Sequence, residues 1–213
     1  MNIKGIIFDF DGTLADTLPI CILSFQQALF NKLNKQYTEA KIVSYFGQTE
    51  EGIMQALASE QWEECFEEYL NVYKTNHTHC PHLFNGAKDL LDTIQGLGFK
   101  LGMVTGKGRG SAEISLNHYG IKEYFEHIET GSTTGSIKHL CMSSIIEKWG
   151  ILPKETIYIG DSPTDITDAK KAGVMPISAC WASTANKEEL IKLEPYKLFE
   201  NVLALKNWIK TLI

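Results

Sequence analysis

The stretch IIFDFDGTLADT, residues 6–17, constrains this chain more than any other. An apolar and aromatic run drives into two aspartates and then breaks at a glycine. A short apolar run that ends at a turn residue reads as a buried strand. Three later stretches share the pattern of IKGIIFDF (3–10): FKLGMVT (99–105), TIYIGD (156–161) and VMPISAC (174–180). Helix-like segments lie at about 86–97, 110–119, 136–149, 163–172 and 200–212. Such alternation predicts an α/β core, a Rossmann-like doubly wound parallel sheet with helices on both faces.

Residues 16–83 break the rhythm. No strand is convincing there, and helix patterns run over about 17–33, 38–45, 49–58 and 60–75. Thr17 or Asp16 is predicted to cap the first, with Pro19 tolerated in its opening turn. The expected organisation is therefore a core from 1–15 and 84–213, with an all-helical insert from 16–83.

A chain of 213 residues suffices for one domain or a core with a small insert. The net charge is -6, and no Lys/Arg tract offers a footprint for nucleic acid or an anionic membrane. No apolar run is long enough to span a bilayer. The five cysteines are scattered, with no CxxC pair, and read as reduced thiols. With no signal peptide evident, the expected location is the cytoplasm, where the Asn76-His77-Thr78 glycosylation pattern would be inert.

In an open parallel sheet, ligands bind beyond the carboxyl ends of the strands. Asp9-Phe10-Asp11-Gly12, Thr105-Gly106-Lys107 and Gly160-Asp161-Ser162-Pro163-Thr164-Asp165 stand at three such ends, and Lys138 opens the helix before the third. Asp9 and Asp11 are two apart, so on extended backbone both can face one side. Carboxylates gathered in a small volume cannot all stay ionised unaided. A hard dication removes the conflict, and Mg²⁺ suits carboxylates, water and phosphate oxygens. Thr105 and Lys138 offer a hydroxyl donor and a cation for a phosphate. A mechanism follows: Asp9 attacks phosphorus, Asp11 protonates the leaving oxygen and later activates water, and N–H groups near Phe10 and Gly106 share the charge.

DFDGTLADT, VTGK, Lys138 and GDSPTDITDAKKAG together resemble the four motifs of haloacid dehalogenase-like phosphatases, in the same order and across nearly the whole chain. LFNGAKDLLDTIQGLG is similar to the segment where the phosphoglycolate phosphatase-like branch re-enters the core. The resemblance implies Asp9 as nucleophile and metal ligand, and Asp11 as acid/base that also binds metal through its carbonyl. It implies Thr105 and Lys138 on phosphate, with Asp161 and Asp165 on metal, and residues 16–83 as a cap. Two departures stand out: His139 follows Lys138 where proline is frequent, and Gly106 replaces a common Asn. Lys107 and Lys122 stay as alternatives for the third-motif lysine.

Bland readings compete elsewhere. NHTHCPH puts His77, His79, Cys80 and His82 in one loop, but with no second ligand pair at finger spacing it reads as a hinge. TGKGRGS lacks the hydroxyl residue a Walker loop needs and reads as a turn opening a helix. Gly47, Gln48 and Thr49, between two insert helices, are candidates for substrate choice, as is Trp181 beyond the last strand. The expectation is a Mg²⁺-dependent phosphatase for a small phosphorylated metabolite, monomeric or homodimeric. Phosphoglycolate, pyrophosphate, nucleotides and sugar phosphates are all open as substrates. A mutase of the β-phosphoglucomutase type, a phospho-receiver and an idle binding protein are the rivals. A dehalogenase or phosphonatase is disfavoured, since the resemblance implies those lack an acid at position 11.

Overall fold

The computed structural model describes residues 2–213. Six parallel strands form one sheet: β1 (Gly5–Phe8), β2 (Lys100–Val104), β3 (His127–Glu129), β4 (Thr156–Gly160), β5 (Met175–Ala179) and β6 (Lys197–Phe199). Their order is β3-β2-β1-β4-β5-β6. β1 is central, with Gly5–Phe8 in register with Lys100–Met103 on one side and Thr156–Ile159 on the other. All four of its residues are buried, which explains their unbroken apolar character.

The period of two splits each strand between two helical layers. Ile6 and Phe8 pack in a cluster with Leu90, Leu91 and Ile94 of α5 (Ala87–Gly96) and Leu205 and Ile209 of α10 (Val202–Ile209). Ile7 faces the other way, with Met142, Ile145 and Trp149 of α7 (Lys138–Trp149) and Ala169 of α8 (Pro163–Lys171). Trp149 lies so close to the sheet that a Cβ on Gly5 would meet its ring at 2.6 Å. The core is the doubly wound α/β architecture expected of the sequence, with two strands more than the four read there. β3 and β6 are three-residue edge strands, neither wholly buried, so neither carries a long apolar run.

Between β1 and β2 the chain forms α1 (Leu18–Leu33), α2 (Glu39–Val43), α3 (Glu50–Ala58) and α4 (Trp62–Asn76). They bury a separate apolar cluster that includes Phe25, Leu29, Ile42, Ile53, Met54 and Tyr69. Phe25 and Tyr69 pack with ring centroids 4.5 Å apart. Thr38 and Thr49 cap α2 and α3 through their side chains. Thr17 does not cap α1, contrary to the sequence expectation; its hydroxyl turns to Asp11 instead. The two connections to the core run side by side, with Phe84 N–H donating to the Leu14 carbonyl at 2.9 Å.

His77 is buried where α4 meets α6 (Arg109–Tyr119). Its Nδ1 lies 2.8 Å from the Tyr73 carbonyl and its Nε2 lies 3.1 Å from Ser115 Oγ. Burial holds its pKa below the ordinary imidazole value, so the ring is a neutral tie between insert and core. All five cysteines are free thiols. Among the described residues, no helix is long and apolar enough to cross a membrane.

Candidate active site

Three loops at the carboxyl edge of the sheet meet in one place. After β1 the chain closes a tight turn, in which the Phe10 carbonyl accepts from Leu14 N–H at 2.8 Å. Gly12 adopts φ +72°, a region that side chains disfavour. A Cβ there would also land on the Asp161 carboxylate, so the two loops approach as closely as backbone allows. After β4, Ser162 caps α8 and Asp165 reciprocates, accepting from Ser162 N–H at 2.9 Å. That capping box aims the second Asp165 oxygen, Oδ1, at Lys138 Nζ, 2.6 Å away. Lys138 also donates to Asp9 Oδ2 at 2.7 Å, and Phe10 N–H donates to Asp9 Oδ1 at 2.7 Å. Tyr158 OH donates to Asp165 Oδ1 at 3.1 Å, and Thr13 Oγ1 to Asp161 Oδ1 at 3.3 Å.

The oxygens of Asp9, Asp161 and Asp165 lie within 4.8 Å of one another, all three residues buried. Lys138 pairs two of the three, Asp9 and Asp165, and among the described residues Asp161 has no lysine of its own. Burial pushes Asp9 up to about 7, with Lys138 opposing and Asp165 reinforcing. Burial, then Asp165 and Asp9, lift Asp161 well above the carboxylate range. Asp165 goes the other way: burial would raise it, but Lys138 and the Ser162 hydrogen bonds hold it low. Lys138 is kept charged by Asp165 and Asp9 against its own burial. Positive charge is thus concentrated on Asp165, leaving Asp9 and Asp161 short of it. An all-oxygen donor set in that condition fits a hard dication such as Mg²⁺.

A pH dependence follows. Asp9 binds its proton more tightly folded, at about 7, than unfolded, near 3.8. Metal-free stability is therefore expected to fall as pH rises from about 4 through about 7. A cation that needs the ionised carboxylate binds better above that range. Thermal melts from pH 5 to 9 are expected to show a Mg²⁺-induced rise in Tm that grows through pH 7. A rise of equal size at every pH would contradict the assignment.

Asp11 stands apart from the trio. Its Oδ1 accepts from Thr17 Oγ1 and from Lys107 Nζ, the latter at 3.4 Å. The carboxylate of Asp11 is thus outside the set of carboxylates that could ligate a metal; the metal role the resemblance implies for this residue runs through its carbonyl. Lys107, the sequence alternative to Lys138, holds a different post. It is buried over the Tyr73 ring, 4.4 Å from the centroid, and reaches Glu50 Oε1 at 3.3 Å. Lys122 opens a 3-10 turn at 122–124, away from these loops, and its side chain is exposed.

Glu50 is the functional neighbour the sequence did not disclose. It opens α3 in the helical insert but caps a core helix: Gly108 N–H donates to its Oε2 at 2.7 Å and Ser111 Oγ to its Oε1 at 2.6 Å. Both donors belong to the start of α6, where a carboxylate is favoured. Thr49 N–H adds a bond to the Ser132 carbonyl at 2.9 Å. Insert and core are latched. In Glu50→Gln the charge on Lys107 loses half of its compensation and one acceptor. The Gly108 amide is expected to exchange with solvent about 10- to 100-fold faster, from the loss of ~1.5–3 kcal/mol per charged hydrogen bond. Amide exchange checks this.

A cavity of about 210 Å³ lies between the two parts, lined from below by Asp9, Asp11, Gly106, Lys138 and Asp161. Gly47 and Gln48 line it from above. Thr49, Thr105 and Phe10 are not in its walls. The Thr105 hydroxyl accepts from Lys107 N–H at 3.2 Å, while the Phe10 ring packs in the core. Trp181, expected to reach the site, lies behind it: its Nε1–H donates to the Thr13 carbonyl at 3.0 Å and braces the β1 turn. An indole N–H in a partly buried place takes the nearest free carbonyl.

The haloacid dehalogenase-like hydrolase family model matches residues 6–179. A relative, the pyrophosphatase PpaX of Anoxybacillus flavithermus, is 29% identical over 210 residues, covering 95% of this chain and 94% of its own. The solved structure of a predicted phosphoglycolate phosphatase from Haemophilus somnus superposes with a TM-score of 0.79 at 23% identity, covering 96% of this chain and 98% of that one. A candidate β-phosphoglucomutase from Thermotoga maritima gives 0.75 at 20%, covering 99% and 100%. Loops, carboxylate trio and family match converge: the chain is an enzyme of the haloacid dehalogenase-like hydrolase family.

Proposed function

We propose that this hydrolase is a Mg²⁺-dependent phosphatase that cleaves small phosphomonoesters through an aspartyl-phosphate on Asp9. The observation that carries this is Asp9 itself: a buried carboxylate at the floor of a cavity, beside one lysine and two further carboxylates. In this reading residues 1–15 and 84–213 are the catalytic core and 16–83 the cap, in a cytoplasmic enzyme.

Asp9 forms a bond to phosphorus as the bond to the leaving oxygen breaks. Asp11, oriented by Thr17 and Lys107, gives its proton to that oxygen. Water then attacks the same phosphorus, yields its proton to Asp11, and phosphate departs as Asp9 recovers its oxygen. Lys138 and the Gly106 N–H, both at the cavity, hold the phosphoryl oxygens; the Thr105 hydroxyl and the Phe10 N–H, set against Lys107 and Asp9 outside its walls, turn to them on binding. Mg²⁺, held by Asp9, Asp161, Asp165 and the Asp11 carbonyl, would neutralise charge on the transferring group. The cap excludes bulk water while phosphorus is transferred.

A mutase must seat a second phosphate on the sugar it turns over. Both ammonium groups lining the cavity are already engaged by carboxylates, which supports hydrolysis over isomerisation. Membership of a hydrolase family leaves the receiver and idle-binder readings without support. The test is a phosphate-release screen over some tens of phosphorylated metabolites with Mg²⁺, paired with trapping of labelled phosphate on the protein. Release with label on Asp9 is expected; label on another residue, or no release from any compound, would overturn the reading.

A further inference from the structure

The cap side of the cavity says more about the substrate than the catalytic floor does. Leu18, Cys21 and Phe25 of α1, Phe46 and Ile53 form most of that wall. Cys21 contributes no charge: its thiol faces Tyr69 OH at 3.2 Å, and burial pushes its pKa up to about 12. Among the described residues, Gln48 is the one neutral amide the cap offers there. The single charged one is Glu50, an anion.

Cations are the scarce element. Among the described residues, no arginine lines the cavity, and its two lysines are both spoken for. Lys138 is shared by Asp9 and Asp165, and Lys107 lies against Asp11 and Glu50, of which Glu50 still pairs it when Asp11 carries its proton. Lys107 is only 4% exposed, and the Tyr73 ring beneath it hinders any swing toward a ligand. With a transferring phosphoryl group occupying Lys138, a second anion on the leaving group would meet Glu50, apolar side chains and only the neutral donors of Gln48, Ser136, Ser162 and Thr164, with no free cation. Buried charge without a partner is strongly disfavoured.

Resting on the phosphatase reading above, we propose that the substrate is a phosphomonoester of a small uncharged alcohol with an apolar body, and that the site rejects anionic leaving groups. This separates the chain from what the names of its relatives describe. Pyrophosphate and phosphoglycolate both carry a second anion on the departing fragment. After Asp11 delivers its proton, the product leaves as a neutral alcohol from an apolar wall.

Matched substrates test this. Phosphoglycolate and its amide, phosphoglycolamide, differ in one charge at almost constant shape; benzyl phosphate is the apolar member and pyrophosphate the fully anionic one. With the whole protein and Mg²⁺, kcat/KM for phosphoglycolamide is expected to exceed that for phosphoglycolate by at least about 10-fold, worth ~1.4 kcal/mol. Benzyl phosphate is expected to exceed pyrophosphate by a similar margin or more. Pyrophosphate has the better leaving group, so that order would run against intrinsic reactivity. Gln48→Lys, which adds a cation to the wall, is expected to raise the phosphoglycolate-to-phosphoglycolamide ratio about 10-fold. Faster turnover of phosphoglycolate or pyrophosphate than of the neutral esters would overturn this inference and leave the phosphatase reading standing. No release from any of the four, with no label trapped on Asp9 in the wider screen, would remove both.

Discussion

Asp9→Asn is expected to lower phosphate release by at least about 10⁴-fold, with the fold intact. The size follows from the role: removing a nucleophile deletes a step that the remaining groups cannot replace. The fold should survive because the amide matches the carboxylate in shape and can still accept from Phe10 N–H. Lys138 keeps Asp165 as partner, so no buried ammonium is stranded. The substitution also removes one member of an overcrowded trio, whose charge costs stability above pH 7. The metal-free melting temperature at pH 8 is therefore expected to hold or rise while activity disappears. Phosphate release and a thermal melt on the same sample check both halves. Equal turnover by variant and wild type would refute Asp9 as nucleophile.

Lys138→Met should produce the opposite balance, a large loss of stability together with activity. Methionine fills nearly the same volume but leaves Asp9 and Asp165 without their shared cation, with Asp161 beside them. Removing one partner of a buried ion pair costs about 3–5 kcal/mol. For a chain of this size that is a drop in Tm of roughly 6–20 °C without metal. Mg²⁺ is expected to restore part of that loss, since a dication compensates the same carboxylates. Turnover is expected to fall about 10²–10³-fold from the loss of one charged donor to the phosphoryl group. Melts of both proteins with and without Mg²⁺ decide the matter: a variant as stable as wild type in metal-free buffer would mean that the trio is not short of charge.

The α/β core was legible because β1, β2, β4 and β5 are almost wholly buried and therefore mostly apolar. β3 and β6 were not, because an edge strand paired on one side can be three residues long and half polar, as His127–Glu129 is. The residues of the site that sit at strand ends, Asp9, Asp11 and Asp161, announced themselves by placing carboxylates where apolar runs stop. Glu50 could not. It looks like any acid in a helix's first turn, and its partners Gly108 and Ser111 lie 58 and 61 residues away. Thr17 misled for a related reason: a threonine before a helix suits a cap, and only the folded turn offers it Asp11 instead. Trp181 was misjudged because position beyond a strand fixes a side chain's neighbourhood but not its direction. Which face the indole took depended on the free carbonyl of Thr13.

The close seat of α3 on the core has an evolutionary consequence. Gly52 of α3 rests against the backbone of Thr133, with no space there for a methyl group. Gly52 is not among the residues that line the cavity, yet any larger residue at this position would act as a doorstop. In the proposed mechanism, where the insert closes over the substrate, the size of that one residue at the rim then sets how tightly the chamber can shut.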